Sequence, residues 1–122
     1  MRIKLVVKSF DSSNELEIQT VSAIKKSGSN SVSYRYIDEI SKTFVEIFEN
    51  SVIISREGEI ESTMILKEGI YTSFDYSSKY MRTTFDLFTK KLVFLENGIE
   101  VRYILSQNGN FINELNLSIL EK

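Results

Sequence analysis

Five glycines and no prolines punctuate this chain. Each glycine (Gly28, Gly58, Gly69, Gly98, Gly109) stands at the end of a run in which apolar and polar side chains alternate. Alternation with a period of two marks a strand that buries one face. Two of the glycines belong to the pairs Asn97-Gly98 and Asn108-Gly109. A type I′ turn needs positive φ at both central residues, which Asn and Gly tolerate and most residues do not, so both pairs predict tight hairpins. A chain punctuated in this way folds as an antiparallel meander.

The runs can be followed from end to end. In the first, Ile3, Leu5 and Val7 alternate with Arg2, Lys4, Val6 and Lys8, and Asp11 to Asn14 supply a polar turn. The return run sets Leu16 and Ile18 against Glu15, Glu17 and Gln19 and continues through Val21 toward Ile24; Lys25 to Ser31 reads as a loop. Val32, Tyr34 and Tyr36 share the next face. Between Ile37 and Asn50 the spacing of Ile37, Ile40, Phe44 and Phe48 also fits a helical face, but the preferred reading makes Asp38 to Lys42 a connection and Thr43 to Phe48 a strand that turns into Val52 to Arg56. Strands follow over Glu59 to Lys67, Ile70 to Tyr76, Tyr80 to Phe88, Leu92 to Leu95, Ile99 to Ser106 and Phe111 to Leu120. Residues 1–122 thus form one all-β domain of about 8–10 strands. Closure into a barrel is favoured over an open sheet or a sandwich because it removes exposed strand edges.

Composition narrows the chemistry. The chain has no cysteine and no histidine, which removes disulfides, thiolate and imidazole metal ligands, and any histidine base; zinc sites, Ser-His-Asp triads and Cys-His dyads are excluded. No glycine-rich loop is present to cradle a phosphate, and the expectation is that no metal or cofactor is used. Met1-Arg2-Ile3 leads straight into a strand pattern without an apolar leader, and no apolar run approaches the roughly 18 residues of a membrane span, so a cytoplasmic protein is expected. With a net charge of −2 and both signs interleaved, neither nucleic acid nor a membrane surface is an expected partner. The best basic-aromatic cluster, Lys79 and Arg82 with Tyr71, Phe74, Tyr76 and Tyr80, suits single-stranded nucleic acid, but carboxylates are interspersed with it.

The order of motifs resembles the YwiB-like bacterial family of uncharacterised proteins. The resemblance rests on Leu5-Val6-Val7-Lys8-Ser9, on Val32-Ser33-Tyr34-Arg35-Tyr36 followed by Asp38-Glu39, and on Lys42-Thr43. It continues through Val52 to Gly58, Met64 to Gly69, Tyr76, Thr89-Lys90 and Gly98 to Tyr103. It implies a calycin-type, lipocalin-like barrel and no defined activity. The chain departs from the pattern at Tyr76-Ser77-Ser78-Lys79-Tyr80-Met81, where a turn ending in glycine is expected.

Candidate site residues follow from parity. Arg56 has the parity of Val52 and Ile54, so it points into the barrel or lies at its mouth, where it suits an anion or carboxylate; the plainer reading is a rim arginine paired with Glu57 or Glu61. Tyr34, Tyr36 and Tyr103, with Thr83, bring hydroxyls to the same interior, where tyrosines otherwise serve as core filling. Paired carboxylates, Glu57, Glu59 and Glu61 or Glu15 and Glu17, read as a surface charge stripe rather than as a hydrolase or isomerase centre, and no catalytic residue is assigned. The stretches Val52-Ile53-Ile54, Leu92-Val93-Phe94-Leu95 and Ile104-Leu105 are apolar on both faces and suggest a homodimer that covers one of them. The expected function is non-enzymatic binding of a small, partly apolar ligand in the barrel. The alternative is a packed, homodimeric barrel in which side chains such as Phe85, Phe94 and the three tyrosines fill the lumen.

Overall fold

The computed structural model describes residues 1–122. It contains ten antiparallel strands and no helix: β1 (Arg2–Asp11), β2 (Leu16–Ser27), β3 (Val32–Ile37), β4 (Ser41–Ile47), β5 (Val52–Gly58), β6 (Glu61–Leu66), β7 (Tyr71–Ser77), β8 (Arg82–Leu95), β9 (Gly98–Gln107) and β10 (Asn110–Glu121). Each strand pairs with its neighbours in sequence, and β10 returns to pair with β1, closing the barrel. The ambiguous segment after Ile37 is the strand β4, because β3 and β5 flank it in full register and a helix there would leave both ladders unpaired.

The barrel is lopsided. β1, β2, β8, β9 and β10 are 10 to 14 residues long, whereas β3 to β7 are 6 or 7. A tall wall therefore stands opposite a low one. β3 covers β2 only over Ala23 to Ser27, so the first half of β2 has no partner on that side. β6 and β7 are also thinly joined, at Glu61↔Ser77 and Ser62↔Tyr76 alone. The turn between them is fastened to β8 by fully buried Thr89, whose hydroxyl accepts from the Lys67 N–H at 3.3 Å and whose carbonyl accepts from the Gly69 N–H at 2.8 Å.

One end of the lumen is filled. Leu5, Val45, Val52, Leu66, Leu87, Ile99 and Ile119 are buried there with the rings of Tyr34 and Phe74. At that end Glu121 accepts hydrogen bonds from Lys25 Nζ (2.7 Å) and Tyr34 OH (2.6 Å), tying β2, β3 and β10 together. Phe94, an expected filler of the lumen, lies instead at the rim of this end with 41% of its surface exposed. The opposite end holds the turns 12–15, 38–40, 59–60, 78–81 and 108–109, and its inward positions are polar and partly open.

Several sequence expectations are corrected by register. Leu16 and Ile18 lie on the outer face, because Val21 and Ala23 set the inward parity of β2 by pairing with Leu5 and Ile3. Glu57, Glu59 and Glu61 do not share a strand: Glu57 is in β5, Glu59 in a turn and Glu61 in β6. The Tyr76 to Met81 segment closes without glycine because Ser78 Oγ accepts from the N–H groups of Tyr80 and Met81. Of the doubly apolar stretches, Ile53 pairs with Ile65 and Ile104 pairs with Phe88, which stacks on Tyr71 with ring centroids 4.4 Å apart, whereas Phe94 and Leu95 remain exposed.

The two Asn-Gly pairs do different work. Asn108 (φ 52°) and Gly109 (φ 80°) form the expected type I′ turn. The second hairpin turns instead on Glu96-Asn97, and Gly98 (φ 150°) is a buried strand residue paired with Leu95 and Leu120. A methyl group at Gly98 would collide with the backbone carbonyl of Ile119, whereas one at Gly109 would meet open space. Gly98→Ala is therefore expected to cost about 3 kcal/mol in urea denaturation and Gly109→Ala about 1 kcal/mol; equal costs would show that turn conformation alone explains both glycines.

Candidate functional site

Register builds a polar belt across the low wall of the open end. Tyr36 on β3 pairs with Thr43 on β4, Thr43 with Arg56 on β5, Arg56 with Ser62 on β6, Ser62 with Tyr76 on β7, and Tyr76 with Thr83 on β8. All six share the inward parity of their strands. The belt thus carries five hydroxyls and a single charge, the Arg56 guanidinium. Arg56 is exposed and takes part in neither of the two ion pairs of the protein, Lys25–Glu121 and Lys90–Glu114. Its carboxylate neighbours in sequence and across the hairpin, Glu57 and Glu61, occupy outward positions and do not reach it.

Beneath the belt the side chains are buried. Tyr103 on β9 is buried, which pushes its hydroxyl pKa up to about 12 against the opposing pull of the Arg56 charge. Burial also raises the pKa of Tyr36, again opposed first by Arg56. Thr43 is 1% exposed, and its hydroxyl approaches Tyr36 without a hydrogen bond of ordinary geometry, so a buried polar atom next to Arg56 is left without a partner. At the other end of the belt Gln107 Nε2 donates to Thr83 Oγ1. A concavity of about 920 Å³ opens over β5 to β8 here; Arg56, Ser62, Tyr76 and Thr83 line it together with Arg82 and, from outward positions, the carboxylates of Glu57, Glu61 and Asp75, and one of its twelve lining residues is hydrophobic.

Of the five residues singled out in the sequence, Arg56, Tyr36 and Thr83 lie on one belt and Tyr103 lies below it. Tyr34 belongs elsewhere. It sits one inward step deeper on β3, level with Val45 and Ile54, and its hydroxyl is committed to Glu121. Ser62, Tyr76 and Thr43 are members that sequence reading missed, because only the registers of β4 to β7 align them with Arg56. The basic-aromatic cluster is dispersed: Phe74 is buried, Tyr71 stacks on Phe88 at the far end of β7, and Lys79 lies over Tyr80 in a turn.

A family model described as a domain of unknown function, DUF1934, matches residues 2–119. The chain belongs to the DUF1934 family. The DUF1934 barrel seen here is similar to the crystal structure of the ywiB protein from Bacillus subtilis, with a TM-score of 0.77 and 18% identity over 99% of this chain and 92% of that one. The likeness bears out the calycin-like closed barrel that the YwiB-like resemblance implied. No curated protein matches the DUF1934 chain. It has no helix long and apolar enough to cross a membrane.

The buried hydroxyls give the DUF1934 barrel a pH signature. Tyr34, Tyr36 and Tyr103 all titrate above the ordinary tyrosine value of 10 in the folded state. A raised pKa of this kind contributes stability that is fully present below pH 10 and is lost as pH climbs through the folded values. At the acid end burial works against the Glu121 carboxylate, but the hydrogen bonds from Lys25 and Tyr34 hold its pKa below the usual range, so its contribution is lost as pH falls through that lowered value. Absorbance titration should show Tyr103 resisting ionisation up to about pH 12, with Tyr34 and Tyr36 also ionising above the ordinary tyrosine value. Tyrosinate formation complete by pH 11 in the folded protein would contradict the burial described.

Proposed function

We propose that this is a non-enzymatic, cytoplasmic barrel that binds a small, partly apolar ligand through an anionic group held at the open mouth, with Arg56 as anchor. One observation carries the reading: the guanidinium of Arg56 has no carboxylate partner and lies in register with five hydroxyl-bearing side chains. A guanidinium flanked by neutral donors is suited to a carboxylate or phosphate, which it can engage with two parallel hydrogen bonds while hydroxyls take the remaining lone pairs. The hydroxyls of Ser62 and Thr83, which line the same concavity, supply further polar contacts, and the half-buried ring of Tyr76, which packs edge-on against Phe85 with centroids 5.8 Å apart, supplies an apolar flank. Because side chains fill the deeper lumen, the ligand is held at the mouth and does not thread the barrel. Carboxylate catalysis has less support: Glu57, Glu61 and Asp75 line the concavity from the outward faces of three different strands, and Asp75 already accepts from Thr84 Oγ1 at 2.8 Å.

The filled lumen favours a second reading, a packed barrel that works through its surface. Native mass spectrometry of protein purified from its own host separates the two. The first reading expects a retained small-molecule mass, lost in Arg56→Ala and partly kept in Arg56→Lys. It also expects benzoate, octanoate or inorganic phosphate to raise the melting temperature, with affinity about 10- to 100-fold weaker in Arg56→Ala. A bare mass together with no stabilisation by any probe at about 10 mM would leave the packed barrel as the better account.

A further inference from the structure

We infer that the free edge of β2 pairs with the β2 edge of a second copy of this chain, joining two barrels across a two-fold axis at Ile18. The inference rests on backbone groups, not on the polar belt, so the two stand or fall separately.

The edge can be read from hydrogen-bond parity. In an antiparallel ladder successive residues direct their backbone groups to opposite sides. The bonds from Lys25 N–H to the Met1 carbonyl (2.8 Å) and from Asp11 N–H to the Glu15 carbonyl (3.1 Å) show that odd-numbered residues of β2 face β1. The ladder between them runs without a register shift from Arg2↔Ile24 to Phe10↔Leu16. Leu16, Ile18 and Thr20 therefore direct their N–H and C=O groups away from β1, toward the place a longer β3 would fill. β3 ends at Ile37 and pairs with β2 no further than Ala23. All residues from Ser12 to Thr20 are exposed.

A closed barrel otherwise abolishes edges, and proteins usually blunt those that remain with lysine, proline or a bulge. The segment Leu16-Glu17-Ile18-Gln19-Thr20-Val21 has none of these and is rich in residues that favour strands. It is also self-complementary. An antiparallel register centred on Ile18 sets Ile18 against Ile18 and Leu16 against Thr20 on the outer face, and Glu17 against Gln19 on the inner face. No like charges meet, and the residues placed opposite one another as hydrogen-bonded pairs are those whose backbone groups are free. About six inter-chain backbone hydrogen bonds result, because each such pair exchanges two. The outer strip of Phe10, Leu16 and Ile18, which are 43%, 58% and 57% exposed, would continue across the axis into its symmetry mate, as an isologous contact requires. Registers centred one residue to either side are poorer: one opposes Glu17 to Glu17, and the other breaks the Ile18 pair.

The test combines sedimentation with residue-resolved amide exchange on the whole chain from about 1 to 300 µM. The expected result is association to twice the 14.1 kDa chain mass, with the amides of Leu16, Ile18 and Thr20 gaining at least about tenfold protection as the dimer forms. The amides of Glu17, Gln19 and Val21, bonded to β1, stay protected at every concentration. Ile18→Lys places two ammonium groups face to face on the axis while leaving an exposed outer position in the monomer, so it should sediment as a folded monomer. Thr20→Pro removes an N–H that the monomer does not use, and should do the same. A monomer throughout the range would overturn the inference and leave the edge to an extended segment of another protein. So would a dimer that persists in Ile18→Lys, or one whose protection lacks the alternation.

Discussion

Everything in this protein follows from closing a ring of ten antiparallel strands that are not equally long. Each backbone N–H and C=O inside a sheet must find a partner, and a ring satisfies that demand only to the height of the shorter neighbour. Where β3 stops at Ile37, the ladder along β2 stops at Ala23, although β2 itself begins at Leu16. The long strands cannot simply fray, because β1 is held on its other side by β10 as far as Asp11↔Leu115. The outcome is a tall wall with one bare edge and, across from it, a low wall whose inward residues lie close to solvent.

The same asymmetry partitions the interior. At the filled end β2, β3 and β10 bring Lys25, Tyr34 and Glu121 within hydrogen-bonding distance, so the Glu121 carboxylate is satisfied internally. At the low wall the inward ends of β3 to β8 carry hydroxyls and Arg56: Tyr36 and Thr43 are buried, whereas Arg56 is exposed. A cation is tolerated there because its head stays solvated, which also leaves it free to meet an anion. The two polar clusters thus differ in kind: one is self-contained, while the other has a charge and a buried hydroxyl still to satisfy.

Local chemistry was legible in the sequence, and register was not. The Asn108-Gly109 turn, the inward parity of Arg56 and the pairing of Tyr34 with Tyr36 on one face depend on neighbours a few residues away, and each is found in the structure. Asn97-Gly98 misled because a glycine demanded by the close approach of Ile119 on β10, a contact distant in sequence, looks the same as one demanded by a turn. Leu16 and Ile18 misled because the outward face of an unpartnered strand can be apolar, and only the pairing of Val21 with Leu5 decides which face is inward. The belt escaped for the same reason: Thr43, Ser62 and Tyr76 are ordinary strand residues until three successive registers set them beside Arg56.

The bare edge and the belt are neighbours. β2 adjoins β3, where the belt begins at Tyr36, and the residues of β2 that continue the inward parity beyond Ala23 are Val21, Gln19 and Glu17. A strand added along β2 would stand where β3 falls short, above the Asp38 to Ile40 turn, and would raise the low wall at the Tyr36 end of the belt. It would also present Glu17 and Gln19 of the second copy on the inward side. The shortness of β3 thus opens the mouth and supplies the edge by which a second chain would narrow it. Lengthening β3 would remove both features together, whereas Arg56→Ala alters the mouth alone and Thr20→Pro the edge alone.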